Sequence, residues 1–304
     1  MSKIIEDNFL KTRAILIWHD GNLTNERYSD GFSSQTPLLG WSMSKSITSS
    51  LIGMRILDGK LNLQDKLYAP EWNQLREDDN RNKITVDMAL RMSTGLSWVE
   101  GKEGYEDLPQ MLFNSSSHAK FAAEKSLQYP PNTHWYYSSA TTNILSRHLR
   151  STFNGFDDAY WSYPKLRLFH ALGMQLNTSF FEVDAAGDFV ASSYCFLRAR
   201  DWLKFALLYL RDGIWIDGKR LLPEGFVKYS TTVTPFSDGA YAAHWWKPGK
   251  KFKSLPQDSF LALGHEEQLI AIIPSRKLII IRLGITRVEW DSDKFLGDII
   301  NAMQ

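Results

Sequence analysis

Cys195 is the only cysteine in the chain, so an intramolecular disulfide is impossible and nothing supports a cysteine-based metal site. Excess charge of one sign is missing too. Basic residues number 35 against 34 acidic ones, a net charge of +1 at pH 7, so nothing recommends nucleic acid or an anionic membrane as partner. There is no block of like charges, no internal repeat and no glycine-rich phosphate loop. No apolar run approaches the roughly 20 residues that span a bilayer. The stretch Met1-Ser2-Lys3-Ile4-Ile5-Glu6-Asp7 lacks the apolar core of a secretory leader. These absences lead us to expect a cytoplasmic chain, although a secreted chain trimmed of its leader would read the same way.

What remains is globular material. The 304 residues are 43% hydrophobic and 23% charged, enough for one large unit or two packed subdomains. Aromatic residues are plentiful, with 11 tryptophans including the pair Trp245-Trp246. Most belong in a core, and some can wall a pocket for an apolar or amide-bearing ligand.

The apolar run Ala14 to Trp18 ends at His19-Asp20-Gly21-Asn22 and is followed by Leu23 to Tyr28. Asp-Gly between two such runs predicts a hairpin. Ser42 to Asp58 reads as a helix with Ile47, Leu51 and Met54 on one stripe and Gly59 placed to end it. Helical segments and polar loops alternate from about Leu61 to Leu149, with Thr94 to Tyr105 a loop rich in glycine and charge. Asp201 to Leu210 has a strong apolar face. Leu269 to Ile273 and Leu278 to Ile281 flank Pro274-Ser275-Arg276-Lys277, which predicts a hairpin covered on both faces. Phe295, Ile299, Ile300 and Met303 stripe a terminal helix. Strands and a helix at both ends, with helices between, predict one sheet built from the termini with a helical region inserted.

Three segments place a serine three residues before a lysine: Ser42-Met43-Ser44-Lys45, Ser117-His118-Ala119-Lys120 and Ser162-Tyr163-Pro164-Lys165. On a helix such residues share a face, and a neutral amine there can take the hydroxyl proton and make the serine a nucleophile. Pro164 disfavours a helix across the third segment. Ser117 opens a helical segment and reads as an N-cap. Ser42 follows the apolar Pro37-Leu38-Leu39-Gly40-Trp41 and begins a long helix, whose first N–H groups are available to an oxyanion. Locally, Ser42 is either an N-cap or a nucleophile. The histidines are scattered, no G-x-S-x-G elbow supports a Ser-His-Asp triad, and Glu266-Glu267 have no histidine at zinc-site spacing.

Taken together, Thr36 to Ser46, Met92-Ser93-Thr94-Gly95-Leu96, Trp135 to Leu145, Ala199 to Leu210 and Gly264 to Arg276 resemble a serine hydrolase family in both sequence and order. That family comprises class C β-lactamases, penicillin-binding-protein-like esterases and nylon-oligomer (6-aminohexanoate-dimer) hydrolases. The nylon-oligomer branch is the nearest likeness, and the resemblance runs from about Thr12 to Met303. It implies an α/β (α+β) fold of the β-lactamase/transpeptidase type, an antiparallel sheet flanked by helices with an inserted all-helical domain. Residues 1–36 with 165–304 would form the sheet domain, and 37–164 the helical one.

By the same resemblance Ser42 is the acylated nucleophile and Lys45 the general base, or the group that keeps the base active. Tyr137, in Tyr137-Ser138-Ser139, would relay the proton to the leaving group, and Ser139 would bind the Lys45 ammonium or the substrate. Core packing among aromatics is the other reading of Tyr137, with Tyr136 the better claimant for that packing. The third motif, Lys-Thr-Gly or His-x-Gly in the family, is represented by His265-Glu266-Glu267, and the backbone N–H groups of Ser42 and Gln268 would form the oxyanion hole. Tyr105 is either a solvated loop residue or a lid over substrate. No cofactor or metal is implied, and the partner is a small-molecule ester or amide.

Glu267 departs from the family glycine. Glycine permits close backbone approach, and a Lys-Thr-Gly site attracts a substrate carboxylate that two glutamates would repel. One such contact near 4 Å costs roughly 4 kcal/mol at an effective dielectric of 20, and solvent brings it nearer 1 kcal/mol. Substrates neutral or cationic near the reacting carbonyl are therefore expected, with weak β-lactam turnover. A β-lactamase or D-alanyl-peptidase, and a non-catalytic binding protein on the same fold, stand as alternatives.

Overall fold

The computed structural model describes Ile4, Glu6, Asp7 and residues 9–101 and 103–303. Most of the amino-terminal stretch read above for a leader therefore lies outside the described residues.

The chain opens with strands β1 (Thr12–His19), β2 (Asn22–Tyr28) and β3 (Pro37–Leu39), then a 3-10 turn, Trp41–Met43, that leads into helix α1 (Ser44–Leu57). Helices α2 (Val86–Leu90), α3 (Asp107–Asn114), α4 (His118–Ala123), α5 (Ser139–Ser151) and α6 (Asp157–Tyr163) follow. Next come β4 (Phe180–Phe181), β5 (Cys195–Arg198), α7 (Ala199–Leu210) and α8 (Phe226–Thr231). The chain closes with β6 (Phe260–Gly264), β7 (Gln268–Ile273), β8 (Leu278–Gly284) and α9 (Ser292–Ala302).

Five strands form an antiparallel sheet in the order β2-β1-β8-β7-β6, so that the first strand pairs with the last. Alternation along the strands divides the apolar side chains between two cores. Leu16, Ile270, Ile272 and Ile281 join a large core with Trp202, Phe205 and Ala206 of α7. Ile15, Ile17, Ala271 and Ile280 pack on the other face against Phe295, Leu296 and Ile299 of α9. Each buried Ile or Leu contributes about 1.5–3 kcal/mol, which is why β7 and β8 are apolar on both faces. Strands β3, β5 and β4 make a second small sheet that the sequence did not announce, because two to four residues are too few to carry a period.

Two expectations are corrected. Pro164 does not stop its helix: α6 passes into a wider π-type turn, Pro164–Phe169, with Pro164 itself helical at φ −59° and ψ −41°. A π-turn relieves the proline ring, which an α-helix would press against the carbonyl four residues back. Helix α1 is also not amphipathic, since Ser44 through Met54 are all buried. Its hydroxyls are absorbed instead. Thr48 donates to Ser44 and Ala191 carbonyls, Ser46 to the His244 carbonyl and Ser49 to the Ala243 carbonyl. Among the described residues no helix is long and apolar enough to cross a membrane.

Candidate active site

Gly40 and the 3-10 turn bring the chain from β3 to α1 against the Gly264 end of β6. A side chain at Gly40 would strike Trp202, and one at Gly264 would lie 2.3 Å from the Gly40 carbonyl oxygen, so two glycines let the serine turn and the strand end touch. Between them and α3 lies a cleft of about 420 Å³ whose walls include Trp41, Ser42, Glu100, Tyr137, Trp246 and His265.

Lys45 lies behind Ser42 and Ser139 of the cleft wall, 1% exposed. Its Nζ lies 3.0 Å from Ser42 Oγ, 3.0 Å from Ser139 Oγ and 3.0 Å from the Ser192 carbonyl oxygen. Burial pulls the Lys45 ammonium down to about 8, against the Glu100 carboxylate, which holds it up. Tyr137 packs on Trp246 and Tyr241, and its ring centroid is 4.9 Å from Lys45 Nζ. Burial first, then Glu100, push the Tyr137 phenol up, while its hydrogen bond with Ser42 works in the other direction. It therefore stays protonated. Tyr136 is 49% exposed, so the aromatic packing claimed for it belongs to Tyr137. Trp245 and Trp246 face opposite ways, the first into the core with Phe205 and Phe260, the second onto the cleft.

Glu100 is the residue that sequence reasoning missed. One oxygen accepts the Ser139 hydroxyl at 2.5 Å, and the other accepts the Ser139 N–H at 2.7 Å and the Trp98 indole N–H. Its only linear signal is a carboxylate in the loop after Gly95.

The turn after β6 differs from expectation. Leu261 exchanges both backbone hydrogen bonds with Trp246, on the edge away from β7. Alternate residues share an edge, so Leu263 and, across the extended Gly264 (φ −131°, ψ 160°), His265 aim their N–H groups at that same edge. Gln268 is instead the register partner of Gly264 inside β7, and its side-chain amide ties β7 to Gly284. Gln268 thus sits within the β6–β7 ladder, whereas His265 lines the cleft and meets Trp41 edge-on at 5.3 Å.

Glu266 and Glu267 both line the cleft, but the Glu266 carboxylate is buried and bound by Arg287 at 2.7 Å, which offsets its charge. Tyr105 is 81% exposed and does not reach the walls; Leu108, Pro109, Leu112 and Phe113 of α3 supply that side instead. Ser117 caps α4, accepting the Lys120 N–H at 3.3 Å. Ser162 donates to the Ala159 carbonyl, with Lys165 exposed.

A model of the family described as Beta-lactamase matches residues 6–289. The chain belongs to the Beta-lactamase family. Among solved structures it is similar to one named "Putative 6-aminohexanoate-dimer hydrolase from Bacillus anthracis", at 21% identity and a TM-score of 0.81, over 100% of this chain and 80% of that one. It is also similar to the octameric penicillin-binding protein homologue of Pyrococcus abyssi, at 16% identity and a TM-score of 0.75, over 99% and 75% of the two chains. A penicillin-binding protein of Bacillus halodurans aligns over 100% of both chains at 13% identity and a TM-score of 0.71. Identities this low establish the β-lactamase/transpeptidase-like fold. A search of curated proteins returned no match.

Proposed function

We propose that this member of the Beta-lactamase family hydrolyses a carboxylic ester or amide through an acyl-enzyme on Ser42. The observation that carries the reading is the buried Lys45 amine 3.0 Å from a hydroxyl of the cleft wall. As neutral Lys45 takes the Ser42 proton, Oγ bonds the carbonyl carbon. The oxygen charge develops toward the N–H groups of Ser42 and His265. The bond to the leaving alcohol or amine breaks as Tyr137 gives it a proton, and the proton on Lys45 replaces the one Tyr137 lost. Water then attacks the acyl carbon, its proton passing to the same basic pair, and Ser42 recovers its hydroxyl.

The substrate side follows from the walls. Glu100 and Glu267 are acidic, whereas Leu108, Pro109, Leu112 and Phe113 are apolar, and Phe113 is 71% exposed on the cleft rim. This favours substrates with an apolar group and no carboxylate beside the reacting carbonyl. Incubation with p-nitrophenyl esters and mass spectrometry of the trapped protein tests the reading. Wild type gains the acyl mass on Ser42, and Ser42→Ala gains none and loses turnover by at least about 10³-fold. A β-lactam turned over faster than simple esters would overturn the substrate assignment. Esters left intact by wild type would leave a binding protein.

A further inference from the structure

The donors and acceptors around Lys45 do more than bury it. Ser192 offers a carbonyl, which can only accept, so one Lys45 N–H is committed there at 3.0 Å. The Ser139 hydroxyl donates to a Glu100 carboxylate oxygen, and so spends its single hydrogen there. Ser139 Oγ must then accept from Lys45, which commits a second N–H. A neutral amine has two hydrogens and one lone pair. With both hydrogens spoken for, the lone pair is left for the third neighbour, Ser42 Oγ.

From this we infer that Glu100 is a positioning residue: acting through the Ser139 hydroxyl, it turns the Lys45 lone pair onto Ser42. The inference rests on the reading of Ser42 as the acylated nucleophile. Glu100 is itself fixed, because its second oxygen is held by the Ser139 N–H and the Trp98 indole. The electrostatics agree, since the same carboxylate raises the proton affinity of Lys45 against its burial. Two other titratable groups face the amine, Tyr137 and His244; burial keeps His244 neutral at about 3.

Glu100→Gln is the informative change. The Trp98 and Ser139 N–H donors both require the amide oxygen, so the amide nitrogen is driven onto Ser139 Oγ. Ser139 then turns its own hydrogen toward Lys45 and competes for the lone pair. The plateau of kcat/KM on a p-nitrophenyl ester should fall on the order of 10²-fold, the scale of general-base assistance. The acid limb, centred near pH 8 in wild type, should move to lower pH because the charge supporting the ammonium is gone. Glu100→Asp should return the midpoint toward wild type. In a Ser139→Ala background, Glu100→Gln should still move the midpoint but cost no further plateau.

An unchanged plateau and midpoint in Glu100→Gln would overturn the inference, as would additive plateau losses or an aspartate variant that keeps the glutamine midpoint. Mass spectrometry separates this failure from the larger one. An acyl adduct on wild-type Ser42 with normal Glu100→Gln kinetics removes only the Glu100 role, whereas no adduct on wild type removes both.

Discussion

Glu266 and Glu267 take consecutive left-handed conformations, at φ 59° and φ 65°, where an L side chain costs roughly 1–2 kcal/mol each. What holds them there is Arg282, whose buried guanidinium donates to both of their carbonyl oxygens, at 3.2 and 2.9 Å. The arginine thereby fixes the turn that follows His265. Glu267 stands where glycine is expected, so it brings both strain and a carboxylate to the cleft. Glu267→Gly should remove both. Unfolding free energy in urea should rise by about 0.5–1 kcal/mol, the relief being partly offset by the entropy of an unfolded glycine. The ratio of kcat/KM for a carboxylate-bearing ester over its neutral analogue should rise about fivefold, the equivalent of one screened contact of about 1 kcal/mol. An unmoved ratio would mean that Glu267 does not set the charge preference.

Elements whose identity depends on their own residues were legible in the sequence. The hairpin of β7 and β8 and the stripes of α7 and α9 carry continuous or periodic apolar residues, and Ser42 and Lys45 lie one helical turn apart. What depended on distant partners was not legible. The buried hydroxyls of α1 look like a solvated face until His244, Ala243 and Ala191 supply their acceptors. Glu100 gains meaning only when the folded loop brings it to Ser139, and which edge of β6 faces the serine turn emerges only when β6 pairs with β7 and with Trp246. That edge makes a prediction of its own. A methyl group at residue 264 would collide with the Gly40 carbonyl at 2.3 Å, so Gly264→Ala must push the end of β6 away from Ser42. A shift near 1 Å costs about 10²-fold in rate. Steady-state kinetics should therefore show kcat falling by that order with KM changed far less, while β6 keeps its ladder to β7. A variant with wild-type kcat would show that the close approach does not serve catalysis.

Across the whole molecule, the sheet made from both ends of the chain and the helices between them are joined by buried polar links, and histidines are prominent among these. His244 Nδ1–H donates to the Leu90 carbonyl at 2.7 Å, and its Nε2 accepts the Thr142 hydroxyl at 3.0 Å, which ties the segment before β6 to α2 and α5. His148 Nδ1 accepts the Tyr68 N–H at 3.0 Å and ties α5 to the segment before α2. Protonation would take away each acceptor, and burial accordingly lowers His148 to about 4 and His244 to about 3; buried His118 is shifted the same way. His148 and His244 are neutral in the native state at pH 5 and above and take up protons near pH 6.5 once unfolded. The unfolded chain therefore binds more protons below pH 6.5, and stability falls as the pH drops from there toward 4. Two protons give a slope approaching about 2.7 kcal/mol per pH unit once the unfolded histidines are charged, above the range in which most surface carboxylates titrate. Urea unfolding at pH 7, 6, 5.5 and 5 should show this loss. His148→Asn, whose amide oxygen can still accept the Tyr68 N–H, should lower stability at pH 7 but reduce the slope by one proton's share. A stability curve flat between pH 7 and 5, or one whose slope His148→Asn leaves intact, would show that these buried rings are not what makes the fold acid-labile.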